Sequence, residues 1–376
     1  MTKPLIACIA GFLGAGKTTA LLAATRELKD RGLRVGIITN DQGDHLVDSH
    51  IAQKQGLRVR EIYGGCFCCR FQEFVKNADS IVEEHRADII LAEAVGSCAD
   101  LSATVYQPLR RFHSQRFDLA PLSVFADCQR VAAFFDRTDH GFTESVEYLF
   151  AKQLAEADLI VLNKCDLVDR AERMRLVSVI ENRVGIGPVH LMSARQGWSV
   201  SSWIDLLLAT KRTGTRVAEM NYAVYAEAEA SLGWLNATVN WTSPSLFSPN
   251  DLGTALIRHV QQKCVKSNAS IAHLKLIIAT HDGSGWLAVA DCHSQPTWTD
   301  LGRTAEVREA SGIINARVSI APSALEGIIR RAITCSSREL GIQWSVQDLQ
   351  AFAPSPPKPI YHFHGTEKDS SYEELR

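Results

Sequence analysis

Short apolar runs punctuate the first half of the chain, at residues 5–10, 35–39, 58–62, 88–92, 122–126, 159–162 and 189–192. Each reads as a buried strand. Stretches of helical period lie between most of them, as at 78–85 and 144–157, and 198–208 reads as a closing helix. Strands that alternate with helices predict a mainly parallel sheet with helices on both faces, and in such sheets ligands gather at the carboxyl ends of the strands. A polar connector covers 211–219, and the pattern changes near residue 222. There, strand-like 234–241 precedes a helix from Ser248 to about 263. Residues 273–280 and 286–291 flank Asp282-Gly283, a hairpin turn. Residues 313–320 form another strand, and Pro322 leads a helix to about 334. This order predicts a smaller α+β domain with one helix-covered sheet. The Pro-rich 353–359 and the polar end are expected to be extended or disordered. The expected units are therefore 1–210, 220–352 and a tail at 353–376, with no internal repeat.

Candidate chemistry sits where the strands end. After the first one the chain reads Gly11-Phe12-Leu13-Gly14-Ala15-Gly16-Lys17-Thr18, and helix formers follow through Leu28 without a breaker. Strand, glycine-rich turn and helix N-terminus together aim backbone N–H groups and a dipole at a polyphosphate. Gly11, Gly14 and Gly16 let the backbone approach the phosphates, with Ala15 and Thr19 beside them. Lys17 supplies charge for the β- and γ-phosphates, and the Thr18 hydroxyl reaches Mg²⁺. A chance glycine-rich turn is the bland alternative, and the strand and helix context argues against it.

A later strand ends in Asn163-Lys164-Cys165-Asp166. The Asp166 carboxylate can accept two hydrogen bonds from guanine N1–H and its exocyclic amine. Adenine lacks that donor pair, so a buried aspartate would be left unpaired against it. Asn163 would brace the phosphate loop, and the Lys164 stem would pack over the purine. Ser193-Ala194, at one more strand end, supplies the small-residue pair that supports a guanine pocket. The expected ligand is GTP.

Cys66, Cys68 and Cys69 place three thiols within four positions, behind Gly64-Gly65, whose backbone can turn sharply enough to converge the sulfurs. Thiolates favour soft or borderline ions such as Zn²⁺ or Co²⁺, and zinc takes four donors in a tetrahedron. Three donors leave one for another residue, a second subunit or a client, and an incomplete shell suits transfer. Three buried or redox-active cysteines are the plain alternative. Other candidates weigh less: His45 and His50 read first as loop histidines, His362 and His364 as tail residues, and Cys98 as packing. Trp234, Trp241, Trp286 and Trp298 fall in or near strands, where core and client-facing roles are not separable.

Composition narrows the partners. The 376 residues carry 40 Lys plus Arg against 42 Asp plus Glu, and no charge block favours nucleic acid or a membrane surface. No apolar run approaches the roughly 18–20 residues of a membrane span, and the first one is a strand, not a signal peptide. Ten cysteines without a secretory signal point to a reducing, cytoplasmic setting.

These motifs resemble the metal-chaperone branch of the P-loop GTPases, the CobW-like proteins and the accessory GTPases of urease and hydrogenase. Cys66-Phe67-Cys68-Cys69 is similar to the Cys-x-Cys-Cys of the CobW-like group, and Glu93-Ala-Val-Gly96 resembles its Glu-x-x-Gly strand end. The run 93–100 and 272–275 look most like the subgroup with nitrile hydratase activators. Ala94 stands where many relatives have Thr, and no long His-rich tract is present. The resemblance implies an acidic residue near Mg²⁺ at Asp41, with Glu93 beside it, and slow GTP hydrolysis positioned by Lys17, Asp41 and Glu93. It also implies a nucleotide-switched metal site at Cys66, Cys68 and Cys69, a client metalloprotein as partner, and a homodimer as one arrangement. A metal-sensing or storage protein with a vestigial GTPase, and a small-molecule kinase on the same loop, are the rival readings. Every nucleotide motif precedes residue 211, so the first unit is expected to fold and bind nucleotide by itself.

Overall fold

The computed structural model describes residues 3–40, 58–62, 64–137, 143–185, 189–209, 213–302, 305–363 and 372–374. Asp41, His45, His50 and His364 lie outside these residues.

The first half builds on β1 (Leu5–Gly11), β2 (Val35–Asn40), β3 (Arg58–Ile62), β4 (Ile89–Glu93), β5 (Asp118–Leu119), β6 (Ser123–Asp127), β7 (Leu159–Asn163) and β8 (His190–Leu191). They form one sheet in the order β3-β2-β4-β1-β6-β7-β8, with β5 added to β1 and every pairing parallel. The helices are α1 (Lys17–Asp30), α2 (Phe71–His85), α3 (Gln107–His113, continuing a π-helical turn at Ser102–Tyr106), α4 (Cys128–Asp136), α5 (Glu144–Ala155), α6 (Arg170–Val184) and α7 (Val200–Ala209). Alternation along β1 shows why helices cover both faces. Ile6, Cys8 and Ala10 enter one buried cluster, and Ala7 and Ile9 enter another on the opposite side. Burying an aliphatic side chain contributes about 1.5–3 kcal/mol, so neither face can be left wet. Side-chain caps start several helices: Asp127 accepts from Gln129 N at 2.9 Å and Asp169 from Glu172 N at 2.8 Å.

After α8 (Tyr222–Ala230) come β9 (Gly233–Phe247), α9 (Pro249–Lys266), β10 (Ile271–Ala279), β11 (Gly283–Val289), β12 (Thr299–Gly302), β13 (Val307–Val318), α10 (Pro322–Glu339) and β14 (Gln343–Phe352). The sheet is antiparallel, in the order β12-β11-β10-β13-β9-β14. The sequence pattern did not announce α8, β12 or β14, whose half-exposed residues give weak periodicity. Leu274, Leu276, Ile278, Ile314 and Ala316 face α9 and α10 through Leu256, Val260, Ile329 and Ile333. The alternate residues point the other way, toward the parallel sheet: Trp234 joins one core of the first half and Ile277 the other. Finally β15 (Tyr361–Phe363) pairs with β16 (Tyr372–Glu374).

Candidate nucleotide and metal site

Gly16 begins α1 in a left-handed conformation, φ +89°, and no side chain caps the helix, so its first-turn N–H groups are left to a ligand. A Cβ on Gly16 would sit 2.4 Å from Asn163 Nδ2, so the loop also needs glycine for close packing. Lys17 is buried, and its Nζ donates to Gly11 O at 2.7 Å and Phe12 O at 3.3 Å. Thr18 Oγ1 donates to Glu93 Oε1 at 2.8 Å. Asn40 Oδ1 is a buried acceptor with no hydrogen-bond partner among the described residues. Hydroxyl, carboxylate and amide oxygen form a donor set that suits a hard divalent cation such as Mg²⁺.

The end of β7 reaches the same loop. Asn163 Nδ2 donates to Ala15 O at 2.8 Å, and its Oδ1 accepts from Ala194 N at 3.0 Å. One side chain thus joins the phosphate loop to the Ser193-Ala194 turn. Lys164 adopts φ +61° and pairs with Asp127 Oδ2 at 2.6 Å. Asp166 lies exposed at the cavity edge, within the 3-10 turn Cys165–Leu167. The cavity, about 650 Å³, takes in Gly14, Gly16, Thr19, Asn163, Asp166 and Ser193, a volume in the range of small-ligand sites.

Its opposite wall comes from the antiparallel sheet, which the motifs did not reveal. Trp234, His273, Lys275, Trp286, Asp291 and Arg317 all line it. Lys275 Nζ donates to Thr18 Oγ1 at 3.1 Å, a buried contact across 257 positions. A Cβ on Gly14 would come within 2.5 Å of Ala290 Cβ, so phosphate loop and sheet are in direct contact. His273 is held well below the ordinary histidine pKa, first by burial and then by the cations Lys275 and Arg317. Polar residues at alternate positions of apolar strands, 273 and 275 in β10 and 315 and 317 in β13, were the available signal. Of the other tryptophans, Trp241 lies in the helix-covered core and Trp298 packs against it.

The three thiols converge. Cys66 Sγ lies 2.7 Å from Cys68 Sγ and 3.3 Å from Cys69 Sγ, and Cys68 and Cys69 are 3.8 Å apart. Sulfurs on a tetrahedral zinc with bonds of about 2.3 Å stand about 3.8 Å from each other, so modest spreading accommodates the ion. These are the one cluster of potential metal ligands among the described residues. Hydrogen bonds from Cys68, Cys69 and Cys98 lower the Cys66 pKa well below that of a free thiol, which favours the thiolate that binds metal. Cys98, read from sequence as packing, therefore touches the cluster. The segment leading into β15 covers it: Lys358 N donates to Cys69 Sγ at 3.1 Å and Ile360 N to Cys68 O at 3.0 Å. His362 is buried with Nε2 2.9 Å from Asp100 Oδ2, away from the thiol cluster's own ligand set.

Two paths join cavity and thiols. Asn40, at the end of β2, donates from Nδ2 to Ile62 O at 3.1 Å and Gly65 O at 2.7 Å. The turn after Glu93 carries Cys98 to Cys66.

Residues 5–185 match the family described as the CobW/HypB/UreG nucleotide-binding domain. The zinc chaperone CobW of a Sinorhizobium species is 29% identical over 213 residues, 50% of this chain and 58% of that protein. The zinc chaperone YeiR of Escherichia coli strain K12 is 28% identical over 165 residues, 42% and 45% of the two chains. The chain thus spans about half the length of the curated relatives it matches. Among solved structures, HypB from Helicobacter pylori in complex with nickel has a TM-score of 0.42 at 17% identity, covering 58% of this chain and 92% of that one. The Zn(II)-bound YjiA GTPase from E. coli has a TM-score of 0.35 at 11% identity, covering 88% and 99%.

Proposed function

We propose that residues 5–185, which match the CobW/HypB/UreG nucleotide-binding domain, work as such a domain and that the chain is a GTP-hydrolysing metallochaperone. It binds zinc at Cys66, Cys68 and Cys69 and passes it to a client metalloprotein, with cobalt as the second ion the thiols would accept. Support for zinc comes from the donor chemistry and from relatives named zinc chaperones. Cys69 is half-exposed beside two buried thiols, an opening through which a client could take the ion.

Within the nucleotide cavity, Lys17 exchanges the Gly11 and Phe12 carbonyls for the β- and γ-phosphates. Thr18 and Glu93 would hold Mg²⁺, with Asp41 as the further acidic residue, and the ion neutralises charge on the phosphoryl group when bound. Asn163 keeps the loop and the Ser193-Ala194 turn in register, and Asp166 at the cavity edge accepts from the guanine edge. Asn40 carries the coupling. The residue lines the cavity, its Oδ1 is buried without a hydrogen-bond partner among the described residues, and its Nδ2 holds Gly65 O at 2.7 Å, one residue before the first thiol. A ligand that turns the Asn40 amide therefore moves the turn bearing Cys66. Free thiols at all ten cysteines suit a reducing, cytoplasmic setting, and no helix among the described residues is long and apolar enough to cross a membrane.

Zinc and cobalt titrations of the full chain, loaded with GDP or with a non-hydrolysable GTP analogue, test the coupling. The two forms should differ in metal affinity, and metal should then shift nucleotide affinity by the same factor. Equal affinities in both forms, for both metals, would remove the switch.

A further inference from the structure

The inner face of the antiparallel sheet is chemically unlike its outer one. At alternate positions β10 presents His273, Lys275 and Ile277, and β13 presents Ile313, Asn315 and Arg317. The register sets His273 opposite Arg317 and Lys275 opposite Asn315. Arg317 is buried; Nη1 donates to Asn236 Oδ1 at 3.0 Å and to Leu235 O at 3.1 Å, and its guanidinium lies 4.0 Å above the Trp234 ring. That fastening holds one side of the cross-strand pair rigid beside Lys275.

Lys275 itself is only 8% exposed. Its Nζ lies 3.1 Å from Thr18 Oγ1, the hydroxyl that follows Lys17 at the start of α1. In a phosphate loop that hydroxyl would hold Mg²⁺ beside the terminal phosphates, and the loop lysine, here Lys17, would reach the β- and γ-phosphates themselves. Lys164 and Arg317 line the cavity farther along. Lys164 pairs with Asp127 at 2.6 Å, and Glu93 and Asp291 line the same space, so the cavity holds charges of both signs. The terminal group of a bound triphosphate is the part that lies beyond the loop toward the sheet.

We propose that Lys275 is a triphosphate-sensing residue of the second sheet, its ammonium contacting the terminal phosphate of the bound nucleotide across the cavity from Lys17. The inference rests on the GTP reading above. A lysine stem is flexible enough to leave the Thr18 hydroxyl and follow the phosphate. With GTP the contact ties the antiparallel sheet to the phosphate loop. With GDP there is no terminal group to hold, so the tie is lost when phosphate leaves. Because Ala290 already packs on Gly14, the sheet needs no rearrangement to reach the site.

The test compares affinities of the full chain for GDP and for a non-hydrolysable GTP analogue, in wild type, Lys275→Met and Lys275→Arg. Methionine keeps the apolar stem, and a thermal melt near that of wild type checks that the fold survives. A charge-assisted contact to one phosphate predicts that Lys275→Met weakens the analogue by about tenfold or more and leaves GDP within about twofold. Single-turnover GTP hydrolysis should slow by about 10²-fold, as when one donor to a developing charge is removed. Lys275→Arg should restore a large part of the analogue's preference. Unchanged discrimination in Lys275→Met, or equal losses for both nucleotides, overturns the proposal. If wild type binds neither nucleotide, the GTP reading falls first, and that outcome is read from the wild-type arm alone.

Discussion

At the residue scale, burial gives ordinary side chains unusual behaviour. His273 sits among Lys275, Arg317, Lys17 and Lys164, and burial with their charge keeps its pKa well below that of a free histidine. The unfolded chain takes up a proton there near pH 6.5, while the folded chain resists it. Below that pH the unfolded state binds more protons, so stability falls as pH drops from about 6.5 toward the folded pKa. His273→Gln removes this share. Its melting temperature should drop less than that of wild type between pH 7.5 and 5.5, measured without nucleotide. An identical drop in both would show that His273 is protonated at no cost. Asn163 shows the same economy of position, since one amide donates to Ala15 O and accepts from Ala194 N.

At the element scale, the segment leading into β15 lies against the turn that bears the three thiols. The Pro-rich stretch 353–359 was expected to be extended or disordered; it forms neither helix nor strand, and its end packs on that turn. Lys358 and Ile360 donate backbone N–H groups there. Tyr361 packs 5.4 Å from the Phe71 ring and 5.2 Å from Phe112, and Arg111 lies 5.4 Å from the Phe363 ring. Proline fixes φ without helix or sheet, which makes such a strip cheap to order once aromatic side chains give it a place to bind. Ending the chain at residue 357 removes the cover. Alkylation of Cys68 and Cys69 in the metal-free protein should then run several-fold faster than in the full chain, as read by peptide mass mapping. Equal rates would mean that the strip does not shield the thiols.

At the scale of the whole molecule, the two sheets are less separable than the order of motifs suggests. Leu232, Trp234 and Ala272 belong to a hydrophobic cluster with Ile6, Cys8 and Phe12, and Ile277 to the cluster with Ala15 and Leu22. Arg130 stacks over Phe12 and donates to Ala290 O at 3.4 Å, adding a polar tie. A chain stopped after about residue 211 was expected to keep its nucleotide site. The shared cavity argues otherwise: without Trp234, Lys275 and Ala290 the phosphate loop faces water. Affinity of that truncated chain for the GTP analogue should fall by about tenfold or more, with a lowered melting temperature. Full-length affinity in the truncated chain would restore the picture of an independent first unit.

What the chain's sequence determined by itself is local. Glycines at 11, 14 and 16 with Lys17 and Thr18, the Asn163–Asp166 run and three thiols at 66, 68 and 69 are each legible because the residues that act together are neighbours in the chain. Parallel strands were legible for a related reason, since burial on both faces leaves apolar runs without alternation. Tertiary structure decided everything that depends on long-range pairing. Lys275 meets Thr18 only because β10 pairs with β13 and the sheet's inner face docks on the phosphate loop. Cys98 meets Cys66 only because the turn after β4 crosses toward α2, and Asn40 ties cavity to thiols only because β2 and β3 pair in register. A one-dimensional pattern records which face of a strand is apolar. It does not record what that face will be pressed against, and here that contact makes the second wall of the site.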